Sequence, residues 1–188
     1  MSTLKVVVIS SDAVIGTLTR DGDRLEYSSA DVRSMIETMA IKRGWTPAEA
    51  FDGLCGWSNG YVEIVPTISV ARVFDGVRDG VPYFLPDHPR EQDLRLADYL
   101  NAGAAILSTP SLDLDRLDPA RGAVVPLSFR TDGTWVWTDT VTYYLEEHGV
   151  RPDEELCAHI VAQGFRCPAV DQATAERTLR ELRRSSAR

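Results

Sequence analysis

A tight turn between two alternating segments is the feature that most constrains how this chain folds. Asp132-Gly133 is a preferred pair for the centre of a hairpin turn, because both positions there take a positive φ. We expect the flanking strands over Val124–Arg130 and Trp135–Trp137. Trp135 and Trp137 are two residues apart, so their side chains share one face of the sheet. The sequence therefore predicts an antiparallel hairpin with both tryptophans on one side.

Two roles are open for these tryptophans. They close the hydrophobic core, with their indole N–H groups donating to carbonyl oxygens. Alternatively, the hairpin presents them as a recognition patch, since Trp, Tyr and Arg are the residues that most often anchor interfaces. A second aromatic turn surrounds Ser58-Asn59-Gly60. The candidate binding residues are therefore Arg130, Asp132, Gly133, Trp135, Trp137, Tyr144, Trp57 and Tyr61.

Strand-like and helix-like segments follow one another without regular alternation. Apolar or alternating runs predict strands at Leu4–Ile9, Val14–Leu18, Arg24–Tyr27, Tyr61–Pro66, Ile68–Phe74 and Ala104–Leu107. Capping residues and helical spacing predict helices that begin at Ser28-Ser29, Thr46-Pro47, Arg90, Asp139, Pro152 and Asp171. This order favours the α+β class, with a mixed, mainly antiparallel sheet and several amphipathic helices.

The chain length fits a single domain over residues 1–188. The stretch Pro82–Pro89 holds three prolines and interrupts the regular segments. We expect it to separate an N-terminal half, 1–80, from a C-terminal half, 90–188.

Charge and cysteine usage limit the partners of the protein. The net charge of -8 and pI near 4.9 argue against nucleic acid and suit a basic protein partner. Three cysteines without a Cys-x-x-Cys pair indicate a reducing compartment. No signal peptide and no membrane-spanning run is recognisable, so we expect a cytoplasmic protein that does not enter a membrane.

The familiar catalytic patterns are missing from the sequence. It has no glycine-rich phosphate-binding motif, no Gly-x-Ser-x-Gly elbow and no His-Glu-x-x-His helix. Cys157 and His159 are two residues apart on a helix and face different sides, so they do not share a metal. His148 is interpreted as a cation at a helix C-terminus, and nothing in the sequence supports a role for His88. We therefore expect no catalytic residue, no metal and no cofactor.

The segment from Pro126 to Trp137, followed by Tyr143-Tyr144-Leu145 and His148-Gly149-Val150, carries a resemblance. It resembles small actinobacterial proteins encoded beside secreted polymorphic toxins, including toxins with a necrotising NAD-hydrolysing domain. The resemblance extends from about Gly122 to Phe165. It implies an immunity protein that binds such a toxin and blocks it.

Three functions follow from these observations. The first is a non-catalytic protein-binding module, an immunity or antitoxin protein that inserts a loop or the hairpin into a basic enzyme cleft. The second is a small hydrolase or transferase acting on a nucleotide-like substrate, with scattered carboxylates and His148 or His159. The third is a structural or regulatory subunit that self-associates through the tryptophan sheet. The first is the function that we expect.

Overall fold

The chain divides into two units, each built around its own hydrophobic core. A computed structural model describes residues 2–11 and 13–186. The first unit comprises the described residues up to Thr67 together with those from Arg183 onward. The second unit runs from Ile68 to Leu182.

The first unit is an antiparallel four-stranded sheet with two helices packed on it. The strands stand in the order β3-β2-β1-β4 and comprise β1 (Ser2–Val8), β2 (Ala13–Asp21), β3 (Arg24–Tyr27) and β4 (Val62–Pro66). The helices are α1 (Ala30–Arg43) and α2 (Pro47–Leu54). Their apolar side chains meet those of the sheet in one core, which includes Leu4, Val6, Leu18, Ile36, Phe51, Leu54 and Ile64.

The ends of these two helices are defined by local capping, as the sequence predicts. Ser29 accepts the N–H of Val32 through its hydroxyl, and α1 stops at Gly44, whose φ is 66°. At α2, Thr46 and Glu49 form a capping box in which each side chain accepts the backbone N–H of the other.

The second unit contains one four-stranded sheet, two two-stranded sheets and the remaining helices. The larger sheet has the order β5-β12-β11-β8, with β6 paired to β7 and β9 to β10 in the smaller ones. These strands are β5 (Ser69–Val70), β6 (Gly76–Arg78), β7 (Val81–Tyr83), β8 (Ala104–Leu107), β9 (Leu112–Leu114), β10 (Ala123–Pro126), β11 (Phe129–Thr131) and β12 (Trp135–Thr138). The helices are α3 (Leu94–Ala102), α4 (Asp139–His148), α5 (Glu154–Ala162) and α6 (Gln172–Ser186), whose last residues belong to the first unit.

The α+β class is confirmed. The described residues form six α-helices and twelve strands, and the strand pairs are antiparallel except for β5 with β12. Among the same residues, no helix combines the length and the apolar character needed to cross a membrane.

The predicted hairpin exists, and its tryptophans are buried. Trp135 and Trp137 pack on one face of the sheet, whereas Val136 packs on the other with Ile68 and Leu182. The expectation that both turn residues take a positive φ is wrong, because only Gly133 does so, with φ of 92°. Asp132 instead closes the turn through its side chain, which removes the need for a left-handed backbone there.

Two predicted elements differ in extent from those observed. The expected strand Val124–Arg130 is divided, because β10 pairs with β9 and only β11 pairs with β12. Pro126 lacks an N–H and ends its ladder. The third helix starts at Leu94 rather than Arg90, because the side chain of Asp93 accepts the N–H of Arg95 and acts as its cap.

Candidate functional site

The predicted binding residues are distributed between the core and the surface. Trp135, Trp137 and Tyr144 are buried in the second unit. The indole N–H of Trp137 donates to the carbonyl of Leu100 at 3.1 Å, as expected for a tryptophan that closes a core. Because they are buried, these side chains offer no area to a partner.

The second aromatic turn lies in the first unit and presents one exposed ring. Asn59 accepts the N–H groups of Tyr61 and Val62, at 2.9 and 2.8 Å, and so holds the turn. Tyr61 is 81% exposed, whereas Trp57 packs against the core of that unit.

Asp132 is a structural carboxylate rather than a free one. Its Oδ1 accepts the N–H groups of Thr134 and Trp135, at 2.8 and 2.7 Å. Its Oδ2 accepts the Tyr99 hydroxyl and the Nε2–H of His159, both at 2.6 Å. Burial and then the hydrogen bond to Asp132 raise the pKa of Tyr99. The two bonds to Oδ1 close the hairpin turn, and the two bonds to Oδ2 tie it to α3 and α5.

Asp115, in the connection between β9 and β10, makes the same kinds of contact. Its Oδ1 accepts the N–H groups of Leu117 and Asp118, while Oδ2 accepts Tyr143 at 2.9 Å and His148 Nε2–H at 2.7 Å. Burial of Asp115 opposes ionisation, but these bonds outweigh it and lower its pKa to about 2. Burial and Asp115 together raise the pKa of Tyr143 to about 12.

The third histidine also faces a carboxylate. His88 contacts Asp75 Oδ2 through Nδ1 at 2.8 Å and the carbonyl of Arg151 through Nε2 at 2.8 Å. The ring therefore lies between a carboxylate and a backbone carbonyl. Each histidine of the chain therefore holds two distant segments together through an aspartate.

The thiols of the second unit are poorly suited to nucleophilic chemistry. Burial raises the pKa of Cys157, and burial with the negative charge of Asp132 raises the pKa of Cys167 to about 11. A reactive cysteine has the opposite shift, because the thiolate is the nucleophile. Within the described residues, no group of three or more His, Cys, Asp or Glu side chains is placed to hold a metal.

A polar cavity of about 180 Å³ opens between the end of α3, the sheet and α4. We call it the α3–α4 cavity, and its lining consists of Asn101, Pro126, Arg130, Asp139, Thr142, Tyr143 and Glu146. Asp139, Thr142, Tyr143 and Glu146 follow one another at positions i, i+3, i+4 and i+7 of α4, so one face of this helix forms most of the wall.

The guanidinium of Arg130 is already neutralised within the cavity. Its Nε donates to Asp139 Oδ1 at 2.6 Å, and its Nη1 donates to the carbonyls of Asn101 and Gly103 at 3.0 and 3.1 Å. Asp139 was expected to cap α4, but it is the first helical residue and binds Arg130 instead. Arg130 therefore stiffens the wall and leaves little charge for an anion.

Two other side chains of the wall have unused hydrogen-bonding capacity. Glu146 is exposed and accepts the Asn101 amide at 2.7 Å, yet among the described residues it has no cationic partner. Thr142 is 4% exposed, and its Oγ1 has no hydrogen-bond partner within the described structure. A buried hydroxyl without a partner carries a desolvation cost that a bound group would remove.

A smaller apolar cavity of about 100 Å³ shares Glu146 with the first. Its lining is formed by Gln92, Asp93, Leu94, Ala97, Leu145 and Glu146. Leu94 is 78% exposed at its rim. The exposed face of α3 and α4 thus places the carboxylate of Glu146 beside the apolar surface of Leu94.

Comparison with known proteins adds no relative. No family model matches the chain, and neither a curated protein nor a solved structure matches it.

Of the predicted binding residues, only Arg130 lines the α3–α4 cavity. Sequence reasoning missed Asn101, Thr142 and Glu146. The spacing of polar residues on α4 was a usable signal for two of them, because a helix face that is polar at i, i+3 and i+7 lies on one side. No local signal pairs Asn101 with Glu146, since 45 residues separate them.

Proposed function

We propose that this protein is a non-catalytic binding module of the immunity type. It blocks an enzyme because the exposed face of α3 and α4 binds a basic surface of that enzyme. The α3–α4 cavity is the observation that carries the proposal. It receives one side chain of the partner, and Leu94 contacts apolar surface beside it.

The size of the cavity favours a side chain over a substrate. Sites for drug-sized ligands and cofactors have volumes of about 300 to 1,000 Å³. The α3–α4 cavity, at about 180 Å³, is smaller. A nucleotide-like substrate would exceed it, whereas one long side chain fills it.

The charge of the lining favours a cation. Arg130 and Asp139 offset each other, which leaves the carboxylate of Glu146 in excess. The whole chain carries a net charge of -8, so a basic partner is attracted over a distance as well as at contact.

The histidines that a hydrolase would use are engaged in structural contacts. The Nε2 atoms of His148 and His159 are each hydrogen-bonded to a buried aspartate. These aspartates in turn hold backbone N–H groups of turns. This arrangement supports a binding role over acid–base catalysis.

Inhibition of the enzyme encoded beside the gene for this chain tests the proposal. The purified full chain is titrated into that enzyme, and the residual activity gives an inhibition constant. We expect inhibition by the wild type and at least tenfold weaker inhibition by Glu146→Lys, because a buried contact to a charged group is worth about 1.5 to 3 kcal/mol. Glu37→Lys, a reversal of an exposed helical glutamate in the first unit, is the matched control and leaves inhibition unchanged.

Three results would contradict the proposal. The first is a neighbouring gene without an enzyme that the chain inhibits, and the second is an equal effect of Glu146→Lys and Glu37→Lys. The third is turnover of a nucleotide by the chain alone, which would point to the hydrolase or transferase alternative. Light scattering at several protein concentrations tests the remaining alternative. A stable homo-oligomer would favour a structural or regulatory subunit that self-associates.

A further inference from the structure

We infer that the α3–α4 cavity is an arginine-specific pocket: it takes the guanidinium of one partner arginine and discriminates against lysine. The inference rests on the proposed function, because it names the group through which a partner would dock. It makes a separate claim about recognition chemistry, which small probes address without the partner.

The cavity offers several acceptor oxygens that no donor among the described residues uses. Arg130 reaches only Oδ1 of Asp139, and Asn101 reaches only Oε1 of Glu146, according to the hydrogen bonds of the described residues. The second oxygen of each carboxylate is left for a ligand. The hydroxyl of Thr142 supplies a third acceptor, buried and without a partner.

Several acceptors in one site suit a guanidinium better than an ammonium. Arginine presents five N–H donors in a flat, fixed fork, whereas the ammonium of lysine has three donors around one point. Asp139, Thr142 and Glu146 lie at positions i, i+3 and i+7 of α4 and line the same cavity, so these acceptor residues belong to one site. Pro126 and Tyr143 add apolar surface to the same lining.

The cavity already contains one cation, Arg130. Its Nε and Nη1 are directed at Asp139 and at two backbone carbonyls, so its charge is offset where it stands. The lining as a whole carries one excess negative charge, on Glu146. An anionic ligand would meet two carboxylates, while a single cation restores neutrality.

Binding of blocked amino acids to the full chain tests the inference. The probes are N-acetyl-arginine amide, N-acetyl-lysine amide and the neutral isostere N-acetyl-citrulline amide, titrated at low ionic strength and followed by NMR chemical-shift changes. We expect the arginine probe to bind at least five times more tightly than the lysine probe, with shifts at α4, and the citrulline probe not to bind. Equal binding of arginine and lysine, or binding of citrulline, would overturn the inference.

Two variants locate the site. Glu146→Gln should weaken binding of the arginine probe about tenfold, since it removes one charged partner. Thr142→Val keeps the shape and removes the hydroxyl, and it should weaken the arginine probe more than the lysine probe. Glu37→Gln is the matched control and leaves binding unchanged. Equal affinities for wild type and Glu146→Gln would place any binding elsewhere and refute the site.

The two proposals fail in different ways. In one case the chain inhibits the neighbouring enzyme through Glu146, but the arginine probe does not bind and each Arg→Lys variant of the enzyme remains fully inhibited. The assignment of an arginine ligand is then wrong, and the proposed immunity function stands. If the arginine probe binds with the expected selectivity but the enzyme is not inhibited, the pocket stands and the immunity function is wrong.

Discussion

Replacing Asp115 by Asn should destabilise the second unit in a way that depends on pH. Asp115 is fully buried, and its two oxygens accept four hydrogen bonds, two from backbone N–H groups and two from Tyr143 and His148. Arg121 lies 3.8 Å from the carboxylate and is the remaining charged neighbour. Asparagine keeps one acceptor for the turn but places a neutral NH₂ group opposite two donors.

The size of the expected destabilisation follows from the pKa of the Asp115 carboxyl. Its lowering from 3.8 to about 2 corresponds to about 2 kcal/mol of stability in favour of the ionised form. Because the folded pKa lies below the unfolded one, this stability is complete above about pH 5 and is lost as the pH falls towards 2. Asp115→Asn lacks the contribution at every pH, so the two proteins should differ by about 2 kcal/mol at pH 7 and converge in acid.

Urea unfolding, followed by tryptophan fluorescence and far-UV circular dichroism from pH 7 down to pH 3, measures this difference. Asp113→Asn, in the adjoining strand β9, is the matched control. The Asp113 side chain is 43% exposed and pairs with Arg116 at the surface, so its loss should cost less than about 1 kcal/mol. A difference between wild type and Asp115→Asn that stays constant with pH, or one no larger than that of the control, would contradict this role of the buried carboxylate.

Two further predictions concern packing and thiol reactivity. Gly103→Ala should cost about 1 to 3 kcal/mol in urea unfolding, because the added Cβ would lie 2.3 Å from Cζ2 of Trp137. The loss of unfolding free energy caused by Gly103→Ala should be smaller in a Trp137→Phe background. If Gly103→Ala leaves the urea midpoint unchanged in both backgrounds, the close approach to Trp137 is contradicted. Alkylation of Cys167 at pH 8 in a Cys55→Ser/Cys157→Ser variant should be about a hundredfold slower than that of a free thiol, since its pKa is raised from 9.0 to about 11. A rate equal to that of an unfolded control would show the thiol to be unprotected.

Features that depend on neighbouring residues could be predicted well. The caps at Ser29 and Thr46, the stop at Gly44 and the hairpin around Gly133 all result from contacts within a few residues. The α+β class follows from the same local patterns. The extent of the first hairpin strand was less predictable. Its first part, β10, pairs with β9 instead of β12, and local sequence does not encode which strand pairs with which.

The candidate site was predictable only in small part. Arg130 was selected as a binding residue for its place in the hairpin, yet it lines the cavity because Asp139 and two carbonyls direct its guanidinium. The sequence was compatible with either a core or a recognition role for Trp135 and Trp137. The packing of α3 and α5 over both side chains shows that they belong to the core.

Local sequence was enough to predict the caps of α1 and α2, the position of the hairpin turn and the alternation of Trp135, Val136 and Trp137 across the sheet, because φ preferences and side-chain period act over a few residues. The pairing of each histidine with its aspartate depends on tertiary packing, since 27 residues separate Asp132 from His159 and 33 separate Asp115 from His148. It likewise brought Asn101 to Glu146 and so formed the α3–α4 cavity. Hydrogen-bond partners that are distant in sequence depend on how helices and strands pack, and no local pattern records that packing.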